Sequence, residues 1–363
     1  VLLYPVYAVL FAETGLSPGE ISSLFVIWSI TGIVLEVPSG LWADVVSRRW
    51  LLAVAPLVTG AGYALWTFVP SYPAFAAGFV LWGAGSALRS GTLQALVYEE
   101  LARVGAADGY ARLIGRSGAV GTTAVMAATG VAAPVLAAGG YTAAGVASVL
   151  VTLLGSAVGW SLPETRTRPE EHAEDTSYLG VLRDGLREVR QAPLVRRSVL
   201  LISVISVADA LEEYLPLLAK ATGVTTPTVP LLELLVTAGV TLGGWFAGRG
   251  SHAVAPALAV AAVCLAAGAS SGRPAGFVLV AVAYGIFRWA VATTEARLQE
   301  QIADRSRATV TSMAGLGVEV VAILVFAGYA VGSLWAGPWL IFTVAALPYL
   351  LIAFALRRRG RGR

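Results

Sequence analysis

"EVPSGLWADVVSRRWLLAV", Glu36 to Val54, sets one aspartate and two adjacent arginines between two apolar runs. The chain interrupts itself there for a few charged residues and becomes apolar again at once. The rest of the sequence explains why that is possible. Of 363 residues, 57% are hydrophobic and only 13% charged, whereas a soluble domain carries roughly a quarter charged residues. Surface-to-volume scaling leaves no way to hide so much apolar surface inside one water-soluble core. A bilayer accepts it, and a helix crossing ~30 Å of hydrocarbon needs about 20 apolar residues.

Twelve such runs are read at about 1–13, 20–42, 50–69, 72–97, 110–137, 140–162, 197–219, 229–249, 252–271, 275–297, 308–331 and 335–356. Their connections are mostly short, which predicts antiparallel neighbours. The first run starts at Val1 with about half a span, and reads as the tail of a truncated first helix. It lacks the basic n-region and small-residue cleavage site of a signal peptide. The expected class is therefore an all-α integral membrane protein.

Charge distribution orients the spans. About 20 of the 25 Lys and Arg residues follow even-numbered spans or lie in the tail, among them Arg48, Arg49, Arg103, Arg112, Arg249, Arg305 and Arg307. The opposite loops hold only Lys220 and Arg273. Lys/Arg excess in short loops marks the cytoplasmic face, so both termini are expected there, in a cell membrane. The basic tail "RRRGRGR" suits anionic head groups, at about 1 kcal/mol per residue near the surface. No aromatic or folded module beside it supports nucleic-acid binding.

The longest hydrophilic stretch divides the chain into 1–162, a linker 163–196, 197–356, and a tail 357–363. In the linker, "PETRTRPEEHAEDTS" reads as solvated. "YLGVLRDGLREVRQAP" then places Tyr178, Val181, Leu182, Leu186 and Val189 at helical spacing, as in a helix lying on the membrane surface. Six spans precede the linker and six follow it. The halves repeat weakly. Gly40 and Trp42 match Gly243 and Trp245, although the acid has become Ala247. Arg89 and Arg288 sit in the fourth span of each half, each shortly after a glycine (Gly85, Gly285). Parallel six-helix repeats are a transporter architecture with the substrate site at the repeat interface.

With those residues in view, the chain resembles the major facilitator superfamily. The family's loop between helices two and three runs roughly Gly-x-Leu-Ala-Asp-x-x-Gly-Arg-Arg. Here it reads Gly40, Leu41, Trp42, Ala43, Asp44, Val45, Val46, Ser47, Arg48, Arg49, with Trp42 for leucine and Ser47 for glycine. "TGLSPGEISSLF" and "SGTLQALVYEEL" resemble efflux-type members. The resemblance implies two pseudo-symmetric six-helix bundles and alternating access. It also implies a cytoplasmic latch: Asp44 on a helix N-terminus of the other half, here near Arg305-Ser306-Arg307, with Arg48 or Arg49 bridging to Glu99 or Glu100. A helix N-terminus carries about half a positive charge, which suits the aspartate. The fifth span, with Gly121, Gly130 and Pro134, is similar to the glycine-proline motif of drug/proton antiporters, with the proline one place early. Close helix packing is the simpler reading of those small residues.

Ionisable residues at mid-bilayer cost at least ~2.5–3.5 kcal/mol, so those present need partners or a wet cavity. They are Glu36, Arg89, Arg116, Asp209, Glu212, Glu213, Glu233, Arg288, Glu295 and Glu319. In the superfamily, helices one, four, seven and ten line the central cavity, which brings Arg89, Asp209, Glu212 and Arg288 to it. Asp209 and Glu212 share a helix face, as do Arg288 and Glu295. Three readings stay open. A buried carboxylate carries a proton, with Asp209 and Glu319 first and Glu212 next. Alternatively, Arg89 and Arg288 clamp an anionic substrate. Finally, the arginines pair with nearby acids as structural salt bridges. Trp28, Trp66, Trp82, Trp289 and Trp335 are candidates to stack on a flat substrate, or else core and interface anchors.

Other classes fit poorly. The sequence offers no Gly-rich phosphate loop and no nucleophile beside a histidine. Cys264 stands alone, and His172 and His252 lack second ligands at metal spacing. No cofactor is expected, and the energy source is a gradient, most simply of protons. A membrane receptor would be expected to carry a signalling domain. The expectation is a monomeric secondary transporter of a small amphipathic or drug-like molecule, exporting it by proton antiport, with an anion exchanger as the alternative.

Overall fold

In the computed structural model the described residues are 1–165, 193–248, 250, 253–301 and 307–360. The side chains of 36–41, 43–45, 193–194, 299–301, 307–309, 311–312 and 358–360 fall outside that description. The described residues are helical, with no strand among them. The helices are α1 (Tyr7–Glu13), α2 (Pro18–Val45), α3 (Arg48–Phe68), α4 (Tyr72–Arg89), α5 (Thr92–Arg103) and α6 (Tyr110–Ser161). After residue 192 come α7 (Pro193–Ile205), α8 (Val207–Glu212), α9 (Leu215–Ala221), α10 (Val229–Trp245) and α11 (Val254–Ser270). The last are α12 (Phe277–Gln301), α13 (Arg307–Gly332), α14 (Pro338–Ala345) and α15 (Leu347–Gly360).

Among the described residues, seven helical stretches are long and apolar enough to cross a membrane. The other expected spans take different forms. The run 1–13 is a short 3-10 turn followed by α1, and α11 has only 17 residues. The run 72–97 is not one helix: it breaks at Ser90 and Gly91, where Gly91 takes φ +71°, a left-handed conformation that suits glycine. The runs 110–137 and 140–162 are continuous in α6 except at Gly139 and Gly140, whose φ/ψ of −148°/15° and 59°/−156° leave the helix. The run 197–219 divides into α7, α8 and α9. Pro216 explains the second of those breaks. Its ring crowds the carbonyl four residues back, at Glu212, where α8 ends. Pro348 bears the same relation to Val344 at the end of α14.

Two compact units form, Val1–Leu16 with Ser23–Thr176, and Ser17–Ser22 with Ser177–Arg363. The predicted surface helix around 178–189, the histidines and the end of the basic tail lie outside the described residues.

In the first unit α3 packs against α4 and α6. Small residues allow the approach: a Cβ on Gly62 would stand 2.8 Å from the Gly78 carbonyl oxygen. The core is aromatic. Phe11, Phe25, Trp66, Phe75 and Phe79 are fully buried, and the Trp66 indole N–H donates to the Phe75 carbonyl at 3.1 Å. In the second unit α10 packs against α12, α11 against α12 and α15, and α7 against α12 and α13. Its aromatics sit in separate pairs: Tyr214 stacks on Tyr329 at 3.6 Å, and Phe287 on Tyr349 at 4.1 Å. Large apolar side chains such as Leu154, Leu324 and Trp335 stay exposed, as a hydrocarbon surrounding permits.

Candidate functional site

Polar side chains gather at three places, two in the first unit and one in the second. The first is the loop that opens α3. Ser47, which stands where the family pattern has glycine, is the N-cap: its hydroxyl accepts the Trp50 N–H at 3.1 Å. An N-cap hydroxyl satisfies one of the donors a helix start leaves open. That hydroxyl also donates to Glu164. The same carboxylate accepts the backbone N–H of Arg48 at 2.7 Å and of Arg49 at 3.4 Å, so a full negative charge meets the positive end of α3.

The Arg48 side chain pairs with Glu99 on α5, and its side chain is only 8% exposed. Glu100 does not meet these arginines. It accepts the Thr165 hydroxyl at 2.6 Å and the Thr165 N–H at 2.9 Å, and pairs with Arg103 at 3.3 Å. The two Thr165 hydrogen bonds first, and the Arg103 charge after them, lower the Glu100 pKa from its ordinary value. Glu164 and Thr165 belong to the stretch read as a solvated linker, yet both are held against the motif. The overlooked signal is an acid placed immediately after a span, able to reach a helix start. The Asp44 side chain and residues Arg305 and Ser306 lie outside the described residues, as does the side chain of Glu36, and Gly40 is described only by its place in α2.

The second place is a cavity of about 460 Å³ inside the first unit. Tyr4, Thr59, Tyr63, Trp82 and Thr129 line it, together with Arg89 at the end of α4. The Arg89 charge acts on the Tyr63 hydroxyl. Among the described residues no carboxylate pairs with Arg89, so the structural salt bridge expected for it is not seen there. Trp82 stacks on Trp28 with ring centroids 5.2 Å apart. Trp66 is buried core and Trp335 is 79% exposed.

The third place is on the second unit, around the breaks that flank α8, where Asp209, Arg288 and Glu295 are exposed and Glu212 is half-buried. Asp209 and Glu212 on α8 lie within electrostatic reach of each other and of Arg288 on α12, and Glu295 acts on Asp209. The Asp209 backbone N–H donates to the Ser206 carbonyl at 3.0 Å. Four of the candidate residues are thereby brought together. Glu319 sits half-buried on α13 with an interaction of its own. Glu233, on α10, acts on the same neighbourhood through Glu212 and Glu213. Among the described residues no group of acids, histidines or cysteines is spaced to hold a metal ion.

The helix-five residues behave differently from the close-packing expectation. A Cβ added at Gly121 would meet nothing within 4 Å, and Pro134 lies inside α6 on an exposed face. Tight helix approach occurs elsewhere, at Gly62, Gly159, Gly239 and Gly243.

Residues 1–298 match the family model described as Major Facilitator Superfamily. No curated protein matches the sequence. Among solved structures, an alanine variant of the nucleoside transporter NupG has a TM-score of 0.79 at 12% identity, covering 98% of this chain and 94% of that one. A bacterial homologue of the human lysosomal transporter Spinster, inward-facing and unoccupied, has a TM-score of 0.72 at 14% identity, covering 98% and 91%. The POT family transporter PepTSo has a TM-score of 0.67 at 12% identity, covering 99% and 95%. At such identities the likeness is one of fold.

Proposed function

The chain belongs to the major facilitator superfamily, and we propose that it is a proton-coupled exporter of a small amphipathic or drug-like molecule. Members are integral membrane transporters of small molecules, not enzymes. The finer reading is a monomer of twelve spans, working by alternating access in the cell membrane with both termini in the cytoplasm. The observation that carries it is the gathering of Asp209, Glu212, Glu295 and Arg288 around a broken helix. Burial disfavours the charged form of an acid and a nearby arginine favours it. A helix interrupted beside such a cluster can change that balance as it moves, and so couple proton binding to conformation.

Asp209 and Glu319 are the first candidates for the proton carrier and Glu212 the next. The test is reconstitution in proteoliposomes and a screen of amphipathic compounds for substrate-dependent proton movement. Movement that disappears in Asp209→Asn or Glu319→Gln supports antiport; a wild-type protein that transports with no proton movement excludes it.

One observation favours a second reading, transport of an organic or inorganic anion. Arg89 stands in an aromatic cavity with no carboxylate beside it among the described residues. Anion exchange lost in Arg89→Ala or Arg288→Ala, with no proton signal, would select it.

The loop at α3 is proposed as the cytoplasmic latch of the outward-open state. The Arg48–Glu99 pair supports it. Neutralising Asp44 should shift the inward/outward populations in a spin-label distance measurement; unchanged populations would remove the latch from the mechanism.

A further inference from the structure

We propose that the groove between α7 and α15 binds one anionic phospholipid, with an acyl chain in the groove and the head-group phosphate against Arg197. The inference does not depend on the proton-coupled reading. It requires only that these two helices stand in a bilayer. Arg197, Leu200, Leu201 and Val204 form one wall, and Ile352, Ala355 and Leu356 the other, around a volume of about 220 Å³. The four on α7 follow an i, i+3, i+4, i+7 pattern and the three on α15 an i, i+3, i+4 pattern, so each wall is one stripe of its helix.

The packing of the unit leaves these stripes uncovered. α7 packs on α12 and α13, and α15 on α11. Leu200 is 58% exposed, and Ala355 on the facing wall is exposed as well. A single hydrogen bond closes one end: the Tyr349 hydroxyl donates to the Ile205 carbonyl at 3.1 Å. That contact sets the last turn of α7 beside the first turn of α15. The two helices therefore run antiparallel along the groove, and Arg197 and Arg357 fall at the same open end. Neither α7 nor the stretch 338–363 contains an acid. Among the described residues no carboxylate pairs with Arg197 or Arg357.

The groove is thus apolar along its length and cationic at one end, which matches a phospholipid with a negative head group. Apolar walls that meet nothing forfeit dispersion contacts, and in hydrocarbon the material that restores them is an acyl chain. Long basic side chains near helix ends reach the head-group level, and basic pockets between membrane helices hold anionic head groups. A zwitterionic head group would bring a cation of its own to the same arginines. A second copy of the chain in the same orientation would present the same patch, and set arginine against arginine at one level.

The test is native mass spectrometry of the full chain, released from micelles that hold phosphatidylglycerol and phosphatidylcholine of matched acyl chains in equal amounts. The expected result is one phosphatidylglycerol retained in preference to phosphatidylcholine. Arg197→Gln should reduce that preference about fivefold, the equivalent of the ~1 kcal/mol a basic residue contributes near an anionic surface. Arg197→Lys should keep most of it. Ala355→Trp, which fills the groove and leaves the arginines in place, should lower the amount of lipid retained. Equal retention of the two lipids by the wild type overturns the assignment, as does silence of either Arg197→Gln or Ala355→Trp. A preference lost only when Arg361 and Arg363 are neutralised also overturns it, in favour of the tail alone. A dimer that disappears in Ala355→Trp would give the groove to a second copy and overturn it likewise.

Discussion

Arg89 and Arg288 occupy matching places in the two halves of the sequence, and the structure gives them different company. Arg89 is the last residue of α4, before the break at Gly91, and lines a cavity with Tyr4, Tyr63 and Trp82. Arg288 lies within an unbroken α12 and acts on Asp209 and Glu212. The same contrast holds for the interiors around them. The first unit is knit by a continuous aromatic cluster, whereas the second gathers acids around a helix that breaks repeatedly. A sequence repeat preserves the position of a charge on a helix but not its partners, because partners come from other helices. Under the proposed proton-coupled transport, the difference divides the work between the units: packing in the first, charge and proton handling in the second.

The largest expected effect tests the packing side. Trp66→Ala removes a fully buried ring at the centre of the aromatic cluster and should destabilise the protein by ~3–5 kcal/mol, seen as a lowered midpoint in denaturant unfolding. A near-neutral result would break the contrast, since it would mean the cluster is not what holds the first unit.

Next comes the pair of arginines. Arg288→Ala leaves Asp209 and Glu212 without their cation and should slow transport about tenfold or more, the equivalent of ~1.4 kcal/mol in a barrier. Arg89→Ala should change proton-coupled transport much less, while abolishing any anion exchange. Equal losses in proteoliposome flux would restore the symmetry of the repeat and remove the division of labour.

A smaller effect is expected at the loop. Glu164→Gln removes the charge that meets the start of α3 and should cost about 0.5–1 kcal/mol, read as faster amide exchange at Trp50 and Leu51. The smallest concerns pH. The Glu100 pKa is lowered in the folded protein by Thr165, so its contribution is present above the ordinary carboxylate pKa and is lost as pH falls through the lower folded value. Thr165 amide protection, compared with Glu100→Gln at each pH, should fall at the acid end in the wild type alone. Equal behaviour of the two proteins would show that Glu100 does not hold Thr165.

Particular residues show where the sequence was readable. The apolar runs identify helices, since burial in hydrocarbon demands length and leaves a compositional mark. The charged loop at Arg48 and Arg49 points to the superfamily; of its expected partners Glu99 and Glu100, the structure sets Glu99 against Arg48. The seat of Glu164 on the start of α3 is not legible, because nothing local distinguishes an acid in water from one seated on a helix start. The breaks inside the runs 72–97 and 197–219 escape the pattern for a related reason: periodicity passes over a break that depends on one residue's backbone, at Gly91 and Pro216. Gly121 was expected to pack closely and meets nothing.

Composition and patterning by themselves determined that this chain is helical, belongs in a bilayer and carries a superfamily loop, because those properties are written in consecutive residues. Only the tertiary structure decided which charges within the spans come together. It set Asp209, Glu212 and Arg288 around one break and left Arg89 among rings. Those outcomes depend on which helix faces come together and how closely glycines let them approach, and neither quantity is a property of any single stretch of sequence.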